Sequence, residues 1–385
     1  MQPRRQIRPF EHPSRFQAKG FYGCVFRPAL PLLEGQHVPH LERYISKVFR
    51  PKRTQTTHTM IEYQNEIEVN LRAQAILGNR IPRMIAHGYV QANLGVHPQH
   101  IAECLNNSMN ANKTSIDRYP QIIYEDAGTN IEVVMIQSQM MDFFKIFPRL
   151  HNVFESFILL AQSGHSHSDV HGKNIVYQPL NKQHPVMLID FGRMIPLNHL
   201  YDIDQDEFKL FCEFENQLPY EYTILFKKHF THKPLPDFQK NNHNTTPMKL
   251  WLTHYKQQKQ HIDDYATLFD KDLRDLDTIR RQKIIQFEHE TIHLNRTQFQ
   301  KTLYQHNIGA KKDNVQLGFF LEHALFAIIN AQPQLIHQKY YYPFFKDLLI
   351  FIHNITNPHP KERWTNTQTL YMYNQLIYKH THIFT

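Results

Sequence analysis

Cysteine is scarce in this chain: Cys24, Cys104 and Cys212 are the only three in 385 residues. Their number and scatter exclude a disulfide framework and a cysteine-based zinc site, and they point to a reducing compartment. Glycine is also sparse, at 12 residues, so each one is expected where the backbone requires it. Long apolar runs are missing. Runs such as Phe157–Ala161 and Leu348–Ile352 fall far short of the roughly 20 residues that span a bilayer. The N-terminal Met-Gln-Pro-Arg-Arg-Gln-Ile-Arg-Pro has no apolar signal core after it. Basic residues never form a block of five or more. The expectation is a soluble protein of the cytoplasm.

What is present is a hydrophobic fraction of 41%, enough for a sizeable core, and a formal charge of +8. Dispersed positive charge serves solubility, and it also permits association with nucleic acid, an acidic surface or an anionic substrate. Histidine is abundant at 27 residues. His151, His165, His167 and His171 form no metal-binding H-E-x-x-H pattern, so the excess does not signal a metal centre.

Along the chain, a basic, proline-containing arm precedes a strand-rich region. Gly20-Phe-Tyr-Gly-Cys-Val-Phe and Tyr44-Ile-Ser-Lys-Val-Phe read as strands, separated by a long loop from Pro28 to Arg43. Residues 58–78 have helical periodicity, with Ile61, Ile67, Val69, Leu71 and Ile76 among charged neighbours. Residues 96–118 read as an Asn-rich loop and Gln121-Ile-Ile-Tyr as a buried strand. A helix over 140–163, interrupted at Pro148, leads to two short strands, Ile175-Val-Tyr and Val186-Met-Leu-Ile. Helical stretches follow at 203–216 and 277–292. The tail from 314 to 380 reads as three helices, broken near Pro333, Pro343 and Pro358.

Three features match the tasks of phosphoryl transfer, which needs a triphosphate held, metals positioned and an acceptor hydroxyl oriented by a carboxylate. The first is Ala18-Lys-Gly-Phe-Tyr-Gly-Cys-Val. A hairpin built on Gly20, Phe21 and Gly23 can lay backbone N–H groups on phosphates, although a tight hairpin without a ligand needs the same residues. The second is Lys47, within a strand. A helix carboxylate would hold it, Glu66 by preference, since Val69 would then face the sheet, with Glu68 as the other choice. The third is His167-Ser-Asp-Val-His-Gly-Lys-Asn followed by Leu188-Ile-Asp-Phe-Gly. Asn174 lies five residues after Asp169, and Asp190 sixteen after Asn174. A hairpin between them would bring Asn174 and Asp190 together as oxygen ligands for magnesium. Asp169 would accept or orient the hydroxyl proton of the acceptor.

Together these residues resemble the protein-kinase superfamily, and most closely the serine/threonine protein kinases of large cytoplasmic DNA viruses. The resemblance covers about 16–192 and resumes at 313–370. It implies an α+β, bilobal kinase-like fold: a basic arm at 1–15, an N-lobe of antiparallel sheet plus one helix at 16–126, and a mainly helical C-lobe at 127–385. A large insertion at about 193–312 would occupy the activation-segment region. ATP and magnesium would be the cofactors, and a protein hydroxyl the acceptor. A host-cytoplasmic or virion location, with virion or nucleic-acid association through the basic charge, would go with a viral origin. Gly20 and Gly23 match the second and third glycines of the kinase hairpin, Val25 the valine that covers adenine, and Ala18 replaces the first glycine. Glu125 and Ala127, in Tyr-Glu-Asp-Ala-Gly, would offer backbone groups to adenine. Asp313-Asn-Val-Gln-Leu-Gly looks like the start of the helix that supports the catalytic loop, and Arg363 like a structural arginine in Pro-x-x-Arg-x-Thr. Two departures stand out. Ser168 replaces the arginine that senses a phosphorylated activation loop. His171 takes the place of the lysine that contacts the γ-phosphate, and brings less positive charge near pH 7. Two other readings fit part of the pattern: a small-molecule kinase of the aminoglycoside or choline type, and a pseudokinase or virion scaffold.

Overall fold

The structure, a computed structural model, describes residues 15–19, 23–33, 37–49, 56–91, 118–137, 140–199, 270–332, 334–335 and 338–384. It is a mixed α+β protein with antiparallel sheets in its N-terminal region. The chain divides into two compact units, Met1–Gly128 and Thr129–Thr385. Gly20, Phe21, the 203–216 helix and most of the 193–312 segment lie outside the described residues.

The first unit is a five-stranded sheet in the order β1-β2-β3-β5-β4 with one long helix. Its strands are β1 (Arg15–Lys19), β2 (Gly23–Arg27), β3 (Tyr44–Phe49), β4 (Met84–Gln91) and β5 (Arg118–Glu125). Every neighbouring pair is antiparallel. Strand β4 was not foreseen, because its alternation is broken by Gly88 and polar residues. Gly23 is demanded by the sheet itself: a Cβ there would collide with the Val48 carbonyl of β3. The 28–43 loop is packed rather than loose. Leu30 donates its amide to Ser46 Oγ at 2.7 Å, and Gln121 Nε2 reaches the carbonyls of Leu30 and Pro31. Cys24 is fully buried and disulfide-bonded, which corrects the expectation of cysteines left reduced; its partner lies outside the described residues.

Helix α1 (Thr56–Leu77) packs on this sheet around Phe49, Tyr63 and Ile122. Of the apolar positions that mark it as a helix in the sequence, Val69 is buried and Ile67 packs on the core, but others point outward. Ile61 and Leu71 are 60% and 53% exposed, whereas Thr59, Tyr63, Glu66, Asn70, Ala73 and Leu77 are buried at alternating spacings of three and four. The stripe carries polar groups because the sheet beneath it presents one that must be paired.

The second unit begins with β6 (Thr129–Asn130) and continues through α2 (Met140–Ile146) and α3 (His151–Gln162). Pro148 falls in the short turn between the two helices, as expected of a residue that cannot continue one. Short strands follow: β7 (His165–Ser166), β8 (Ile175–Tyr177), β9 (Val186–Leu188) and β10 (Ile195–Pro196). They form two small antiparallel sheets, β6-β8-β9 and β10-β7. The described residues beyond them are mainly helical: α4 (Asp270–Thr291), α5 (Arg296–Gln305), α6 (Ile308–Ala331), α7 (Tyr342–Ile355) and α8 (Asn366–Lys379). The end expected for the insertion, at 312, falls inside α6. Pro343 starts α7 instead of breaking it, as suits a residue with no amide to donate at the first turn.

Aromatic rings build much of this core. Phe143, Phe147, Phe154, Phe344 and Tyr373 meet with ring centroids 4.8–5.6 Å apart. Helix α6 runs through the unit with Lys311 to Gly318 all buried. Its polar side chains are bonded across the core, Asn314 to Asn366 and Thr369, and Glu322 to Arg280. Gly318 lets α7 close on it: a Cβ would lie 2.5 Å from Thr356 Cγ2 and 2.9 Å from Ile355 Cγ1. Gly318→Ala should therefore cost about 1–3 kcal/mol by overpacking, measurable by denaturant unfolding. His353 gives a second expectation. Burial, reinforced by the nearby Arg280 charge, pushes its pKa down to about 4 from 6.5. The folded protein therefore binds the His353 proton less readily than the unfolded chain does. The stability from a neutral His353 is complete above pH 6.5 and is lost as pH falls toward 4. Between pH 7 and pH 5 the wild-type melting temperature should fall more than that of His353→Gln, and parallel curves would refute the assignment.

Candidate functional site

In the first unit, strand register sets the expected nucleotide residues in a row. Ala18 pairs with Val25, Val25 with Lys47, and Lys47 with Ile122. Directly opposed residues project from one face of a sheet, so Val25 and Lys47 share the face covered by α1. Lys47 Nζ lies 2.7 Å from Glu66 Oε1 and 2.8 Å from Oε2, and Tyr124 Oη donates to Oε1 at 3.1 Å. The Lys47 and Glu66 side chains are 16% and 7% exposed. Glu68 is exposed and takes no part. The helix turn that carries the carboxylate is braced by Asn70, which donates to the Glu66 carbonyl at 2.7 Å.

The 124–128 segment, where adenine recognition was expected, is braced from β2. Arg27 bonds to Asp126 Oδ1 at 2.6 Å and to the Gly128 carbonyl at 2.8 Å, while the Gly128 amide returns to Asp126 Oδ1. Glu125 spends its amide on the Arg83 carbonyl. Ala127 is buried beside it.

In the second unit, residues 166–174 form a loop held from within and from α6. Asp313, 2% exposed, accepts from Ser166 Oγ at 2.8 Å and from the amides of His167 and Ser168 at 2.9 Å each. Turning successive amides onto one anion needs an unusual backbone, and Ser168 supplies it with φ 66°. Since the Ser166 hydroxyl proton goes to Asp313, Ser168 Oγ donates to Ser166 Oγ at 3.0 Å. Gln316 adds two bonds, from the Val170 amide and to the Ser168 carbonyl. His167 accepts the Asp169 amide on Nδ1, so Nε2 carries the proton and donates to the Ile189 carbonyl at 3.0 Å. Its ring lies 4.7 Å from that of Phe191.

Asn174 turns its amide nitrogen to Asp169, 2.9 Å from the backbone carbonyl and 3.0 Å from Oδ2. Both neighbours are acceptors, which fixes the amide orientation and leaves Oδ1 as the acceptor end. The Ile189 amide donates to the Asn174 carbonyl at 2.9 Å, and β8 pairs with β9. Asn174 and Asp190 thus sit at the same end of one ladder. Asp190 is exposed and left-handed, φ 61°. Among the described residues no three His, Cys, Asp or Glu side chains are placed to hold a metal. A magnesium ion here would take one amide and one carboxylate oxygen and draw its other ligands from phosphate and water, as that ion commonly does.

His171 accepts the Lys173 amide on Nδ1 at 3.2 Å and directs Nε2 to within 3.7 Å of Asp169 Oδ1. Burial lowers its pKa, opposed chiefly by the Asp169 charge. Two cations went unnoticed in the sequence. Arg193 places Nη1 3.8 Å from the same Asp169 oxygen. Lys312 is fully buried, and desolvation brings its pKa down to about 8 against the pull of Asp313 and Asp169. Neither belongs to a spacing that marks it out. Gly172 is buried against α6, where a Cβ would strike the Phe320 ring and Glu132. Arg363, also buried, donates to the Asn357 carbonyl at 2.9 Å.

A scan against protein-family models gave no match, and a search of curated proteins gave none. Among the described residues no helix is long and apolar enough to cross a membrane.

The Lys47–Glu66 pair is buried enough that removing one partner strands a charge, at a cost of about 3–5 kcal/mol. Lys47→Met should destabilise the protein by about that much, and Lys47→Met/Glu66→Gln should recover most of the loss. A double-mutant cycle by chemical unfolding checks this, and additive effects would refute the pairing.

Proposed function

We propose that the chain is an ATP- and magnesium-dependent phosphotransferase of the protein-kinase superfamily, with the two-lobed fold of that family, which transfers the γ-phosphoryl group to a serine or threonine hydroxyl of a protein. The observation that carries the reading is the state of Asp169. It is held by the Asn174 amide on a loop whose own amides are clamped by Asp313. A carboxylate so fixed can orient an acceptor hydroxyl and take its proton. Asn174 Oδ1 and Asp190 would hold magnesium, which supplies charge neutralisation at the phosphates. Lys47, steadied by Glu66, would contact the α and β phosphates. Val25 and the 125–127 backbone would receive adenine.

The same geometry bears on regulation. Where a regulated kinase carries an arginine, Ser168 bonds to Ser166 and Asp313. The loop is thus braced by neutral hydroxyls and one buried carboxylate, and needs no phosphorylated segment to align it.

The test is transfer from radiolabelled ATP with magnesium to the chain itself, to casein and to a basic protein. Activity is expected, and Asp169→Asn should abolish it. Lys47→Ala should lower it by about 100-fold or more, through loss of a charge contact in a dry site. Transfer only to small alcohols would replace the reading with a small-molecule kinase. Partner binding without turnover would make the chain a pseudokinase or virion scaffold.

A further inference from the structure

We propose that Arg193 is a catalytic residue that binds the γ-phosphate of the nucleotide and stabilises the phosphoryl group in transit; this rests on the phosphotransferase reading above. Phosphoryl transfer spreads negative charge over three equatorial oxygens, and a fixed cation beside them is among the largest contributions a protein can make. His171 does not supply it in this geometry, because its Nδ1 accepts the Lys173 amide and so bears no proton. Lys312 is fully buried and out of reach of a ligand. The Lys173 ammonium, 67% exposed, turns to Glu132 at 3.6 Å. Arg193 remains. Its side chain is 26% exposed, and Nη1 stands 3.8 Å from Asp169 Oδ1, an ion-pair separation rather than a hydrogen bond.

The backbone holds Arg193 in that place from both sides. Before it, Phe191 is 1% exposed and packs against His167. After it, the Met194 amide closes on the Phe191 carbonyl at 2.8 Å, and Ile195 pairs with Ser166 of the clamped loop. The guanidinium is thus tied to the residue that orients the acceptor. Its planar fork of donors matches phosphate oxygens. In the step itself, the bond from the γ-phosphorus to the ADP oxygen breaks and its electron pair leaves with ADP. A bond forms from phosphorus to the acceptor oxygen, whose proton passes to Asp169 and then to water. Arg193 gains and loses nothing; it only matches charge.

The experiment compares Mg-ADP with a magnesium complex of a non-hydrolysable ATP analogue, binding to wild type, Arg193→Gln and Arg193→Lys by calorimetry, with turnover measured alongside. Arg193→Gln should weaken the analogue by about tenfold or more, as loss of a charge-assisted bond does, and leave ADP within about twofold. Its kcat should fall by about 100-fold. Arg193→Lys should lie between wild type and Arg193→Gln in both readouts, and it carries the comparison if the glutamine variant does not fold. Unchanged discrimination between the nucleotides, or equal weakening of both, would overturn the role of Arg193 while nucleotide binding stands. Failure of the wild type to bind either nucleotide would remove the phosphotransferase reading and this inference with it.

Discussion

A carboxylate taken out of water costs several kcal/mol unless its oxygens are satisfied. Asp313 sits in the second turn of α6, among buried neighbours, and its oxygens are satisfied by two amides and a hydroxyl of residues 166–168. At 2% exposure, water cannot take their place. The loop cannot lift from the helix without stranding the charge, and the helix cannot rotate without stranding the amides. Much follows from that exchange: the left-handed Ser168, the His167 bridge to Ile189, and the place of Asp169 beside Asn174. Helix α6 is buried from Lys311 to Gly318, with Gln316 adding polar contacts to the loop and Asn314 bonding to Asn366 and Thr369.

The first unit solves a related problem differently. A lysine on a sheet face that a helix covers must be met by a carboxylate from that helix. Glu66 meets it, and Tyr124 fills the remaining valence. The cost is visible in α1, whose buried stripe holds Thr59, Glu66 and Asn70 while Ile61 and Leu71 face solvent. A helix built for packing alone would place those apolar residues inward. One built to deliver a carboxylate gives up part of its apolar face.

These contrasts show what the sequence could and could not disclose. The helix and strand positions along 44–49, 58–78, 140–163 and 175–188 were legible because periodicity and proline placement are local properties. The nearness of Asn174 and Asp190 was legible because they flank two short paired strands, which leaves their separation little freedom. Glu66 was separable from Glu68 only through the direction of Val69. The outward face of α1 was not legible, since apolar residues at helical spacing look alike whichever way they point. Arg193 and Lys312 carried no signal, because their importance lies in distances to Asp169 that cross the chain. The Cys24 disulfide was likewise invisible from a count of three.

Gly172 turns the packing around the loop into a statement about descent. Any side chain at 172 meets the Phe320 ring, so the two positions cannot change independently. A lineage could acquire alanine at 172 only after the ring at 320 had been lost and Glu132 had shifted, and the intermediate would carry a void in the core until the change at 172 arrived. The order of substitutions is thereby restricted to one direction.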